Sequence, residues 1–114
     1  MKAVFIELPP FERHRQDYLS DEAFRDFQWM LMSNPKAGDV IEGTGGLRKV
    51  RFKDAKHNKG KRGGLRIIYY WWQQGAQFWL FTIYNKDEMS DLSADHKKLL
   101  KDLLKYELNA RSLK

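Results

Sequence analysis

Hydrophobic and polar positions along the chain divide it into short strands and amphipathic helices. Lys2 to Leu8 (KAVFIEL) is short, β-branched and aromatic, and Pro9 and Pro10 stop it, so it predicts an opening strand in the main sheet. Phe11 to Tyr18 (FERHRQDY) predicts a short helix. Ser20 offers an N-cap for a second helix, with Asp21 and Glu22 favourable in its first turn and Phe24, Phe27, Met30 and Leu31 at helical spacing. That helix ends near Asn34 and Pro35, because the residue before a proline is pushed out of the α region. Ala37 to Gly46 holds four glycines and predicts a turn-rich link into Leu47 to Lys53, where Leu47, Lys49, Arg51 and Lys53 alternate with Arg48, Val50 and Phe52. One face of that strand presents a row of cations. Leu65 to Gln74 and Gln77 to Tyr84 are aromatic and β-branched, and Gly75-Ala76 between them predicts an antiparallel hairpin at the core of the sheet. After a polar segment, Asn85 to Leu92, Ser93 caps a helix over Ala94 to about Ala110, with Leu99, Leu100, Leu103, Leu104 and Leu108 as an apolar stripe. The order β-α-α-β-β-β-α implies an α+β fold in which helices cover a mainly antiparallel sheet.

Composition narrows the class. The chain has 114 residues, 42% hydrophobic and 14% aromatic, which suits one domain over 1–114 with a real core. Without Cys there are neither disulfides nor thiolate metal sites. No apolar run approaches the roughly 18 residues of a membrane span, and the start lacks a signal-peptide pattern, so a cytoplasmic protein is expected. The net charge of +6 is concentrated: Arg48 to Arg66 has nine Lys or Arg against one acid and carries +8, leaving −2 on the rest. A mildly acidic body with one positive segment suits a polyanionic partner such as nucleic acid. Asp54 to Gly64 has no apolar periodicity and reads as a mobile basic loop.

Several chemistries drop out. His14, His57 and His96 lie in three different elements and no HxxxH, paired acids or Asp cluster sits near the basic segment, so no metal site is expected, and none of GxSxG, GxxxxGK[ST] or GxGxxG after a strand is present. What remains is a set of cations on neighbouring strands: Lys49 and Arg51, then Arg66, then Lys86 with Tyr84. Such a set binds phosphate. Metal-free RNA cleavage would further need a proton acceptor for the 2′-hydroxyl, donors for the charge on phosphorus oxygens, and an acid for the 5′-oxygen. The plainer alternative is a solvated or nonspecific basic patch. Of Tyr69, Tyr70, Trp71 and Trp72, half face inward by strand alternation. His57 is a further possible base, while His14 and His96 are structural or solvent-facing.

Three segments, GTGGLRKVR (Gly43 to Arg51), KGKRGGLRIIYY (Lys59 to Tyr70) and TIYNKDEMSDL (Thr82 to Leu92), occur in the order and spacing of the HigB-like branch of the RelE/HigB toxins, and the chain resembles that family over most of its length. The resemblance implies a RelE-like, microbial-ribonuclease-like fold with two N-terminal helices and a C-terminal helix. It implies a type II toxin–antitoxin toxin that cleaves messenger RNA in the ribosomal A site, without cofactors or metal, and leaves a 2′,3′-cyclic phosphate. The implied partners are the 70S ribosome, its mRNA and a HigA-like helix-turn-helix antitoxin. Carried over, Lys49 becomes the base, Arg51 and Arg66 stabilise the phosphate and transition state, and Lys86 or Tyr84 acts as acid or places substrate. The other cations, Arg48, Lys53, Lys56, Lys59, Lys61 and Arg62, read as RNA-binding positions. Asp87 stands where RelE has an Arg, and Ser93 falls near the place of its late Tyr, which leaves the general acid open. A noncatalytic RNA- or ribosome-binding module using the same surface is the competing reading.

Overall fold

The computed structural model describes residues 2–53, 64–89 and 91–112. In chain order these form β1 (Val4–Glu7), α1 (Pro9–Tyr18), α2 (Asp21–Ser33), β2 (Asp39–Val40), β3 (Arg48–Phe52), β4 (Leu65–Trp72), β5 (Gln77–Asn85) and α3 (Ala94–Ser112). The sheet has five strands in the order β1-β5-β4-β3-β2. β1 runs parallel to β5 at one edge, and every other pairing is antiparallel. The architecture is α+β, as expected, with one parallel edge that the local pattern could not reveal.

Helix ends follow their caps. Pro9 and Pro10 do not precede α1 but open it, since a proline at the first helical positions forfeits no hydrogen bond and has its φ preset. The Ser20 hydroxyl accepts from the Ala23 N–H at 3.0 Å, and Ser93 serves α3 likewise through the His96 N–H at 3.1 Å. α2 stops at Ser33, two residues before Pro35.

Each face of the sheet carries its own core. Against α1 and α2 lie Val50, Ile67, Tyr69, Phe78, Leu80 and Ile83, packed with Phe11, Phe27 and Leu31. Against α3 lie Leu47, Ile68, Trp79, Phe81 and Tyr84, packed with Leu92 and Leu104. The predicted leucine stripe is narrower than expected: Leu104 is buried and Leu100, Leu103 and Leu108 pack around it, but Leu99 points away and is 67% exposed. Trp71 joins the first core and Trp72 the second, as strand alternation requires.

Two backbone details set the register. β2 lies in the glycine-rich link, where Gly38 has a φ of +82° and sits so close to the Lys49 carbonyl that a Cβ would collide with it. On β5, Tyr69 pairs with Leu80 but Ile68 pairs with Thr82, so Phe81 is an extra residue, a β-bulge. The hairpin turn is a 3₁₀ turn at Gln73–Gly75 followed by Ala76 in the left-handed region, φ 52°.

Candidate RNA-binding and cleavage site

The bulge builds the candidate site. Strict alternation from Trp79 would put Ile83 on the α3 face and bury Tyr84 against α1 and α2. The one-residue slip at Phe81 reverses this and brings Tyr84 to the α3 face. There it stands opposite Arg66 on β4, which in turn stands opposite Arg51 on β3. Lys49 lies one step along the same face of β3, opposite Ile68. A row Arg51–Arg66–Tyr84, flanked by Lys49, thus crosses three strands. Lys86 is the first residue beyond β5; its N–H reaches the Gly64 carbonyl at 3.5 Å, which fixes the turn at the end of this row.

Burial divides the row into floor and rim. Arg66 is only 7% exposed and donates from Nη1 to the Gly64 carbonyl at 3.3 Å. Tyr84 is 5% exposed, and its hydroxyl meets no hydrogen-bond partner among the described residues. Burial pushes the Tyr84 phenol upward, the Arg66 charge pulls it down less strongly, and the Asp91 carboxylate adds a smaller upward push. Tyr84 therefore holds its proton at neutral pH and can donate but not accept it. Arg51 and Lys86 are exposed, Lys49 is half-buried, and Lys49 Nζ lies 3.8 Å from Asp91 Oδ1. Two guanidiniums facing each other across a strand pair repel, and an anion between them relieves that repulsion.

Other expected positions lie elsewhere. Arg48 falls on the opposite face of β3, where Nη1 donates to the carbonyls of Lys36 and Gly38 at 3.0 and 3.3 Å. Lys53, just past β3, borders a hollow of about 350 Å³ beside α2 with Arg51, Asp26 and Met30. Lys56, Lys59, Lys61, Arg62 and His57 lie outside the described residues. His14 and His96 are exposed on α1 and α3. Among the described residues no group of three or more His, Asp or Glu is gathered as for a metal ion, and no helix is long and apolar enough to cross a membrane. A hollow of about 850 Å³ beside Trp72 and Tyr106 is at the other end of the α3 face and is bordered by none of the expected site residues.

Two features escaped the strand-alternation argument. Asp91 lies in the polar segment after β5, and its only sequence signal was an acid shortly downstream of Tyr84 and Lys86. Tyr18, the last residue of α1, donates its hydroxyl to Glu88 Oε1, the same oxygen that accepts from the Asn85 N–H at 3.2 Å, so the turn carrying Lys86 is tied to α1.

No family model matches the chain. The fold is similar to that of a double arginine-to-alanine mutant of E. coli toxin RelE in the free state, with a TM-score of 0.56 and 10% sequence identity over 79% of this chain and 90% of that one. The five-stranded mixed sheet, with two helices between β1 and β2 and one after β5, is a RelE-like fold.

Proposed function

We propose that this chain is a toxin of a type II toxin–antitoxin system, a single toxin domain of the HigB-like branch that acts in the cytoplasm as a ribosome-dependent endoribonuclease. It cleaves messenger RNA in the ribosomal A site without a metal, leaves a 2′,3′-cyclic phosphate, and is held in check by a HigA-like antitoxin. The observation that carries this reading is the row Arg51–Arg66–Tyr84 with Lys49 beside it, set on a RelE-like sheet. In-line attack of a 2′-oxygen on phosphorus builds negative charge on the non-bridging oxygens, and guanidiniums fixed by a sheet stabilise that charge without rearranging. Arg66 is preorganised by burial and by its bond to Gly64, Arg51 closes on the phosphate from the rim, and Lys49 adds positive charge. The exposed Lys86 ammonium delivers the proton to the departing 5′-oxygen. Lys53 and the loop cations Lys56, Lys59, Lys61 and Arg62 extend the contact to ribosomal RNA.

The concealed Tyr84 hydroxyl favours a second reading, in which the same cations only neutralise phosphates and the chain binds ribosomes without cutting. Induced expression in a bacterial host separates the two. The intact chain is expected to arrest growth and to create new mRNA 5′ ends in phase with codons, and Arg66→Lys, which keeps charge and bulk but loses the two-pronged donor, to do neither. Ribosome binding without new ends from the intact chain would establish the binding module instead.

A further inference from the structure

We propose that Asp91 is the group that takes the 2′-hydroxyl proton, with Lys49 as its charge partner rather than as the base. This deepens the cleavage reading above and rests on it.

Asp91 Oδ1 lies 3.8 Å from Lys49 Nζ and accepts from the Leu92 N–H at 2.8 Å. One carboxylate oxygen is thereby held by Lys49 on β3 and by the N–H of the next residue in its own segment, and Oδ2 takes part in neither contact. The Asp91 side chain is 73% exposed, so substrate can reach it, in contrast to the sealed hydroxyl of Tyr84. Lys49 shares its face of β3 with Arg51, so the carboxylate beside Lys49 lies on the face that carries the row. A phosphate seated on Arg51 and Arg66 therefore has a carboxylate at one side. The chemistry selects the acid over the amine: an ammonium has no lone pair to offer until it has first lost a proton, whereas a carboxylate accepts at once. Lys49 then holds the carboxylate in place and adds positive charge beside the phosphate.

The step balances. The 2′-O–H proton passes to the Asp91 carboxylate while the 2′-oxygen bonds to phosphorus. The P–O5′ bond breaks, and the 5′-oxygen takes a proton from the Lys86 ammonium. The products are a 2′,3′-cyclic phosphate and a 5′-hydroxyl, and exchange with solvent restores both side chains.

The test uses the full chain with 70S ribosomes carrying a defined message, and reads single-turnover cleavage alongside cosedimentation with ribosomes. Asp91→Ala is expected to cleave at least about 100-fold more slowly, the scale of a lost general base. It should still cosediment, and added sodium formate should restore its cleavage in proportion to concentration while leaving the intact chain unaffected. Asp91→Asn, which fills the same space, should be equally slow and blind to formate, and circular dichroism checks that both variants fold. Cleavage by Asp91→Ala at the rate of the intact chain overturns the assignment. Loss that formate cannot restore also overturns it, reducing Asp91 to an anchor for Lys49. An intact chain that binds ribosomes and cuts nothing overturns the cleavage reading itself.

Discussion

Tyr84 keeps a buried hydroxyl that no neighbour among the described residues satisfies, and such a group costs stability unless something completes it. Because that hydroxyl is sealed from substrate, Tyr84→Phe is expected to touch folding and not cleavage. Urea unfolding should show stability unchanged or raised by up to about 1 kcal/mol, while single-turnover cleavage on the ribosome stays at the rate of the intact chain. Tyr69 makes the contrast. Its hydroxyl donates to the carbonyls of Pro35 and Ala37 at 3.0 and 2.7 Å, and burial, opposed by Arg48, pushes its phenol up to about 12. In the unfolded chain that phenol ionises near 10, so between 10 and 12 the unfolded state loses a proton that the folded state keeps, and stability falls as pH rises through this window. Far-UV circular dichroism against pH should show alkaline unfolding there, with a shallower slope in Tyr69→Phe. Lys49 and Arg51 share a strand face by simple alternation, which is why the sequence revealed them. Arg48 also lay in the basic run, yet alternation turns it to the other face, where it ties down the 36–38 backbone. Asp91 was hidden because its partner is separated from it by two strands of sequence.

Elements with a cap or a punctuating proline were readable; those defined by a partner were not. Ser20, Ser93 and Pro35 mark helix ends through local hydrogen bonds and sterics that need no tertiary context. β2 is two residues long and exists because Gly38 allows its backbone to press against β3, so periodicity could not show it. Gly38→Ala combines a left-handed φ with a collision against the Lys49 carbonyl. It is expected to cost at least about 2 kcal/mol in urea unfolding, the range of strained backbone positions. Because Lys49 sits directly opposite Asp39 on β2, the same change should lower cleavage. The bulge on β5 was equally unreadable, since an extra residue in one strand leaves the composition of that strand unaltered and shows only in its pairing. The Tyr18–Glu88 bond is an element-level brace: Tyr18→Phe should leave the fold intact and speed proteolysis or hydrogen exchange at 86–89, which locates the change in the turn carrying Lys86.

On the described part of the chain the cations of the basic segment sort by strand face, Arg48 to one side of the sheet and Lys49, Arg51 and Arg66 to the other. If the row binds RNA phosphate, ribosome affinity falls linearly with salt on logarithmic axes, and Arg51→Ala should reduce that slope by about 0.7, the contribution of one phosphate contact to a single strand. Filter binding at several salt concentrations measures this directly. The α+β class was legible because strand and helix patterns segregate along the chain. The parallel edge was not, because β1 and β5 meet only in three dimensions, Val4 beside Gln77 and Glu7 beside Leu80. That edge has a bearing on how the molecule comes into being. The first strand to be synthesised has no hydrogen-bonded neighbour until the last one has left the exit tunnel, and the cations of β3 and β4 align with Tyr84 only at the same late moment. If the translating ribosome is the target, the strand that completes the sheet also completes the row, so a nascent chain whose β5 is still inside the tunnel carries no assembled site.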